Sequence, residues 1–320
     1  MIEPQDEELH PIGKEKHWQE SWYFSWADPR HDVFGLTRIG FRFNENQMDG
    51  LVLTIRKGKP EFVYPAVNLK KPKGGWSEQS AKGGLRTGGL VYTCEEPLKR
   101  WRITLEGRSQ MDLLWESYTP AFDYHDSGRE LPPNVAGEHL EQAGRVRGYT
   151  RFKGRELEID GTGERDKSWG VRDWANVEGW NWISAQFGED LAFNCWEGFF
   201  SGKRYINGYI FHGGKNHAIE KLEVKWHWDG GKKHLPKGTT IEIHDESGKH
   251  FTVNSTTLGR APLYKNGLWL EECYSRYKIS APGLSRNGIG IIEHAWHAGT
   301  LRAIARTPRV LKMMGQLLLP

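Results

Sequence analysis

Short segments rich in β-branched and aromatic residues recur along this chain of 320 residues, each closed by glycine, proline, asparagine or aspartate. Runs punctuated in this way, with little 3.6-residue periodicity, restrict the fold to β-sheet. In the first half the segments are 22–26, 35–43, 50–57, 61–69, 88–96, 100–107 and 111–119, followed by a hairpin of 144–152 and 155–164. Turns such as Met48-Asp49-Gly50 and Lys57-Gly58-Lys59-Pro60 separate them. Connections this short join antiparallel strands, because parallel neighbours need a crossover of about a dozen residues or more. Residues 120–144 break the rhythm with prolines, glycines and charges, which predicts a long excursion carrying a short helix. The second half resumes it with eight segments, at 181–187, 191–200, 203–212, 217–228, 239–245, 249–258, 268–280 and 288–299. Eight strands close a small barrel or fill a sandwich. The expectation is an all-β chain of two consecutive antiparallel domains, 1–175 and 176–320. A short C-terminal helix in the second would align Val310, Met314, Leu317 and Leu318 on one side.

Composition agrees and narrows the function. Fifteen tryptophans, 11 tyrosines and 13 phenylalanines beside 38 glycines suit pleated surfaces and hairpins. Lys plus Arg is 44 against 41 acidic residues, a net +3, so no electrostatic case for nucleic acid or an anionic membrane exists. The longest apolar runs fall far short of the roughly 20 residues that span a bilayer, so no transmembrane segment is expected. The polar, acidic start MIEPQDEELHPIGKEKHW is unlike a secretory signal. Cys94, Cys195 and Cys273 are odd in number and widely spaced, which favours reduced thiols and a cytoplasmic location. A homodimer is left open.

The densest chemistry lies in Gly161–Trp182, GTGERDKSWGVRDWANVEGWNW. Glycines 161, 163 and 170 allow close backbone approach, while Trp169, Trp174, Trp180 and Trp182 supply flat apolar walls. Arg165 and Arg172 are fixed forks for a carboxylate, with Asp166 and Asp173 as the oriented acids. Arg–Asp bridges with tryptophan packing would explain the same residues structurally. In LAFNCWEGFF, strand alternation puts Glu197 on the face of Phe193 and Cys195, with Trp196 opposite; burial there would raise its pKa and suit a general acid. In GIGIIEHAWHAG, Glu293 and His297 share a face and could exchange a proton. His212 joins Arg165, Trp169, Trp174, Trp180, Trp182, Trp196 and Glu293 as residues placed against a substrate. Thirteen histidines show no His-x-His or His-Glu-x-x-His spacing, so no metal is expected. Gly161-Thr162-Gly163 lacks the rest of a dinucleotide fingerprint, and neither a phosphate loop nor a Gly-x-Ser-x-Gly nucleophile occurs.

The run Gly163–Trp174, GERDKSWGVRDW, resembles the signature of a lipocalin-like superfamily that includes carotenoid 1,2-hydratases (hydroxyneurosporene synthases) and fungal polyketide Diels-Alderases. Weaker likeness extends to WYFSWADP at 22–29, GLTRIGFRFNEN at 35–46 and the closing Gly288–His294. The resemblance implies two consecutive lipocalin-like barrel or sandwich domains with a pocket for a bulky apolar molecule. It also implies hydration, isomerisation or cyclisation without metal or organic cofactor. Onto this chain it carries Arg165, Asp166, Ser168, Trp169, Gly170, Arg172, Asp173 and Trp174. Lys167 stands where related motifs often have histidine, so no imidazole acid is available there.

Three functions fit. The first is a cofactor-independent hydratase or lyase, isomerase or cyclase acting on an isoprenoid- or polyketide-like substrate. Protonating an alkene needs an acid kept neutral in a dry site and π faces for the cation. Asp166 or Glu197 would be that acid, with Asp173 or His297 activating water. The second is a carrier or sensor of a hydrophobic molecule, in which the acids are structural. Carbohydrate recognition is the third.

Overall fold

In the computed structural model of the protein, the glycine- and asparagine-marked turns join antiparallel strands throughout. The structure describes residues 2–132, 137–172, 177–231, 233–265, 267–299, 304, 306–311, 313 and 315. The chain divides into two compact units. One comprises Met1–Thr54, Phe62–Asp126 and Pro133–Asp173; the other comprises Ile55–Glu61, Ser127–Pro132 and Trp174–Pro320.

The first unit is built from β1 (Trp18–Asp28), β2 (Val33–Arg42), β3 (Gln47–Arg56), β4 (Lys59–Lys70), β5 (Leu85–Thr87), β6 (Leu90–Glu96), β7 (Arg100–Leu105), β8 (Gln110–Ser117), β9 (Phe122–Asp123), β10 (Glu138–Phe152) and β11 (Arg155–Val171). Its sheet runs β4-β3-β2-β1-β11-β10-β8-β7-β6-β5, with β9 also paired to β10. The second unit holds β12 (Val177–Gln186), β13 (Ala192–Phe200), β14 (Lys203–His212), β15 (Lys215–Trp228), β16 (Pro236–Asp245), β17 (His250–Lys265), β18 (Leu268–Ala281) and β19 (Leu284–His297), closed as an up-and-down barrel. The all-β expectation of two antiparallel, barrel-like sheets holds.

Local details differ from the sequence reading. The excursion at 120–144 contains β9, one 3-10 turn at Tyr124–Ser127 and the start of β10. The motif-bearing segment is strand as far as Val171, where β11 ends. In the tail, residues 306–311 are helical and Val310 packs beside Trp269, Trp296 and Ala298; Met314, Leu317 and Leu318 lie outside the described residues.

Alternation sorts the side chains. In the first unit Trp22, Phe24, Ile39, Phe41, Trp101 and Trp115 gather into one core drawn from nearly every strand, so the sheet wraps around it. Arg165 and Lys167 share that inner face and are buried ions. The Arg165 guanidinium makes a two-point ion pair with Glu7 at 2.7 and 3.0 Å, and also donates to Gln142. Lys167 donates to the carbonyls of Asp6 and Glu8 and lies over the rings of Trp22 and Trp169. Burial lowers its pKa to about 8. The two cations thus tie the N-terminal segment into the sheet.

The glycines of the motif do what their spacing predicts. A Cβ on Gly163 would sit 1.8 Å from the Ser25 carbonyl oxygen, and one on Gly161 2.0 Å from that of Ala27. Backbone cannot yield as a side-chain tip can. Gly163→Ala is therefore expected to cost about 1–3 kcal/mol, read as a lower urea midpoint; an unchanged midpoint would contradict this packing.

In the second unit, Ile183, Phe193, Cys195, Ile210, Ile241, Cys273 and Ile292 fill the barrel. All three cysteines are buried free thiols.

Candidate active site

On β12, β13, β18 and β19 the residues that do not enter the barrel core form a single cross-strand row. Trp196 pairs with Trp182, Trp182 with Glu293, and Glu293 with Glu272. Directly opposed side chains on one sheet face lie about 4.5–5.5 Å apart at Cβ, so the row brings two indoles and two carboxyls into contact. Trp180, two residues before Trp182 and on the same face, donates its Nε1–H to Glu293 Oε1. Trp182 is 6% exposed, Trp196 9% and Glu272 2%, whereas Trp180 and Glu293 are half-buried.

Glu272 is the decisive member. Burial raises its pKa well above the ordinary carboxyl value, and the adjacent Glu293 raises it further by charge and by a hydrogen bond. Two carboxyls in hydrogen-bonding contact cannot both ionise cheaply, which favours a proton shared between them. Coupled groups of this kind titrate as a unit. Glu272 is the sheltered partner and Glu293 the reachable one, beside an indole face.

Other residues expected at a site are placed differently. Glu197 is nearly fully buried, but it accepts from Asn181 Nδ2 at 2.7 Å and pairs with Arg204 Nε at 2.8 Å. Both of its carboxylate oxygens are thus engaged by neighbouring side chains. His297 shares the Glu293 face as alternation predicts, yet it is exposed at the strand end. Arg165 is fully buried and committed to Glu7 and Gln142, which leaves it no fork for a substrate. Trp169 is stacked on His10 at 4.2 Å and faced by Lys167. His212 donates from Nε2 to Asp245 Oδ2 at 2.7 Å and stacks on His217. Asp173 and Trp174 lie outside the described residues.

Asp166 belongs to a second polar cluster, on the first unit. On the sheet face opposite the core, Arg38, Tyr23, Asp166 and Glu141 follow one another across β2, β1, β11 and β10. Glu141 Oε1 takes His139 Nε2 at 2.7 Å and the Tyr124 hydroxyl at 3.3 Å. Burial lowers His139 to about 4, with Asp166 opposing and Arg172 assisting that shift. His139 is therefore a neutral imidazole at pH 7, a base or ligand rather than an acid.

Ligand atoms of His139, Glu141 and Asp166 lie within 4.8 Å of one another, as do those of His212, His217 and Asp245, and those of Asp123, His125 and Glu138. Each set offers imidazole and carboxylate donors that could hold a divalent ion.

Sequence reasoning missed Glu272, His139 and Glu141. Two adjacent acids in the otherwise apolar LWLEECY, and the alternating Glu138-His139-Leu140-Glu141, were the available signals.

Comparison with known proteins bears on the fold. Residues 3–298 match the model of a family described as a domain of unknown function, DUF7064. The chain belongs to that family. No curated protein matches this DUF7064 chain by sequence. Among solved structures it is similar to kievitone hydratase from Nectria haematococca, with a TM-score of 0.64, 13% identity, and coverage of 87% of this chain and 88% of that one. It is also similar to a candidate ATTH protein from Nitrosomonas europaea, with a TM-score of 0.66, 13% identity, and coverage of 93% and 97%. The DUF7064 chain thus has a lipocalin-like fold shared with a hydratase.

Proposed function

We propose that the protein is a cofactor-independent acid–base enzyme of the hydro-lyase, isomerase or cyclase type, acting on a bulky apolar substrate. The observation that carries this reading is the buried Glu272 paired across the strands with Glu293, which in turn accepts from the Trp180 indole and lies opposite Trp182. An alkene is a weak base and accepts a proton only from an acid that stays neutral at working pH. Glu293 delivers the pair's one proton at a carbon of the double bond, the Trp180 Nε1–H stabilises the carboxylate left behind through its hydrogen bond to Oε1, and the proton released by the added water or by the cation returns to the pair. The π faces of Trp180 and Trp182 favour the cation that forms. Water addition then gives an alcohol, and proton loss gives an isomer. In the reverse direction the same pair protonates a departing hydroxyl. The fold shared with kievitone hydratase supports the reading.

The test starts from mass spectrometry of small molecules extracted from the purified protein, followed by incubation of those molecules and of isoprenoid and polyketide alkenes in heavy water. Gain of one water, or deuterium at an alkene carbon, is the expected result. Tight binding with neither change would support the carrier reading instead.

A further inference from the structure

Arg38 stands apart from the other arginines of its sheet face. Arg42, Arg145 and Arg172 are engaged by acidic or hydroxyl oxygens. Arg38 is half-buried and, among the described residues, makes neither hydrogen bond nor ion pair. Asp166, in the same cross-strand row, does not pair with it. None of its guanidinium nitrogens is among the buried unpartnered atoms of the described residues, so the group reaches solvent and is open to an anion.

Its head has a defined position. Arg38 folds along β2 onto Gly40, with Nη1 2.6 Å from where a Cβ on Gly40 would be. The absent side chain at 40 is what makes room. Gly40 pairs directly with Ser21 on β1, and Ser21 with Ser168 on β11. These two buried hydroxyls lie 3.2 Å apart. Arg172 reaches the same place from the end of β11, donating from Nη1 to Ser21 Oγ at 3.3 Å and from Nη2 to Ser168 Oγ. Arg172 thus engages both hydroxyls, and the Arg38 guanidinium lies over Gly40, the cross-strand neighbour of Ser21, on the same sheet face.

We propose that Arg38, Arg172, Ser21 and Ser168 form a binding site for the carboxylate head of a small organic acid. Two planar forks and two hydroxyls match the two oxygens of a carboxylate. Asp166 and Glu141, one row away, make the surroundings too negative for a dianion such as phosphate. The inference does not rest on the Glu272–Glu293 pair.

Calorimetric titration of the full chain with octanoate, octanol and inorganic phosphate tests it. Octanoate should bind roughly tenfold or more tighter than octanol, the difference expected of charge-assisted hydrogen bonds. Arg38→Met should remove most of that preference without lowering the thermal midpoint, because Arg38 supports no other group. Gly40→Ala should act in the same direction by displacing the guanidinium. Equal binding of octanoate and octanol, or an Arg38→Met protein that keeps the preference, would overturn the site. Phosphate competing with octanoate at equal concentration would overturn the carboxylate assignment.

Discussion

Glu272→Gln is expected to lower turnover by about 100-fold or more, the usual contribution of a positioned general acid, while making the protein more resistant to unfolding at neutral and alkaline pH. The two effects have one cause. Burial and Glu293 raise the Glu272 pKa in the fold well above the ordinary value of 4.5 that it has in the unfolded chain. A carboxyl whose folded pKa is raised contributes its full stability below about pH 4.5 and loses it as pH climbs through the folded value. The slope is up to about 1.4 kcal/mol per pH unit for one proton. Glutamine donates a permanent N–H to Glu293 and has nothing to release. The gap in thermal midpoint between Glu272→Gln and the parent protein should therefore widen from pH 5 upward. Scanning calorimetry across that range would expose an error if the gap stayed flat or reversed.

The second large effect concerns Arg165. Arg165→Met leaves the Glu7 carboxylate, 1% exposed, without its two-point partner. Removing one member of a buried pair typically costs about 3–5 kcal/mol. Burial opposes ionisation of Glu7, but Arg165, Lys167 and the Leu98 N–H outweigh it and hold its pKa below the usual value. That stability is present above about pH 4.5 and is lost as pH falls through the folded value, so the penalty of Arg165→Met should shrink in acid. Combining it with Glu7→Gln should recover part of the loss, because the stranded charge disappears. Urea unfolding of the two single variants and the double variant measures this. A single-variant cost below about 1 kcal/mol would mean that the N-terminal segment is not held as described.

What the sequence made legible was whatever depends on neighbours along the chain. Turn residues located the strands, and period-two alternation put Trp196 opposite Glu197 in direction and placed Glu293 with His297. The glycines at 161 and 163 were correctly read as points of close backbone approach. What could not be read was register and distance. Glu272 meets Glu293 only because β18 pairs with β19 in one particular register, and a shift of one residue would bring Glu271 there instead. Arg204 neutralises Glu197 from the next strand, a partner that alternation within one strand cannot reveal. Glu7 lies 158 residues from Arg165, beyond any local signal. Arg165-Asp166 looked like a bonded pair because the two are adjacent, yet adjacency in a strand sends them to opposite faces.

Glu272 and Glu293 are expected to keep one carboxylic proton at neutral pH beside tryptophan. Infrared difference spectroscopy of the parent protein against Glu272→Gln addresses it without knowledge of any substrate. The expected result is a carbonyl stretch of a protonated carboxylic acid at pH 7, shifted in heavy water and lost in the variant. A pH 7 spectrum with only ionised carboxylate bands and no such difference would contradict it.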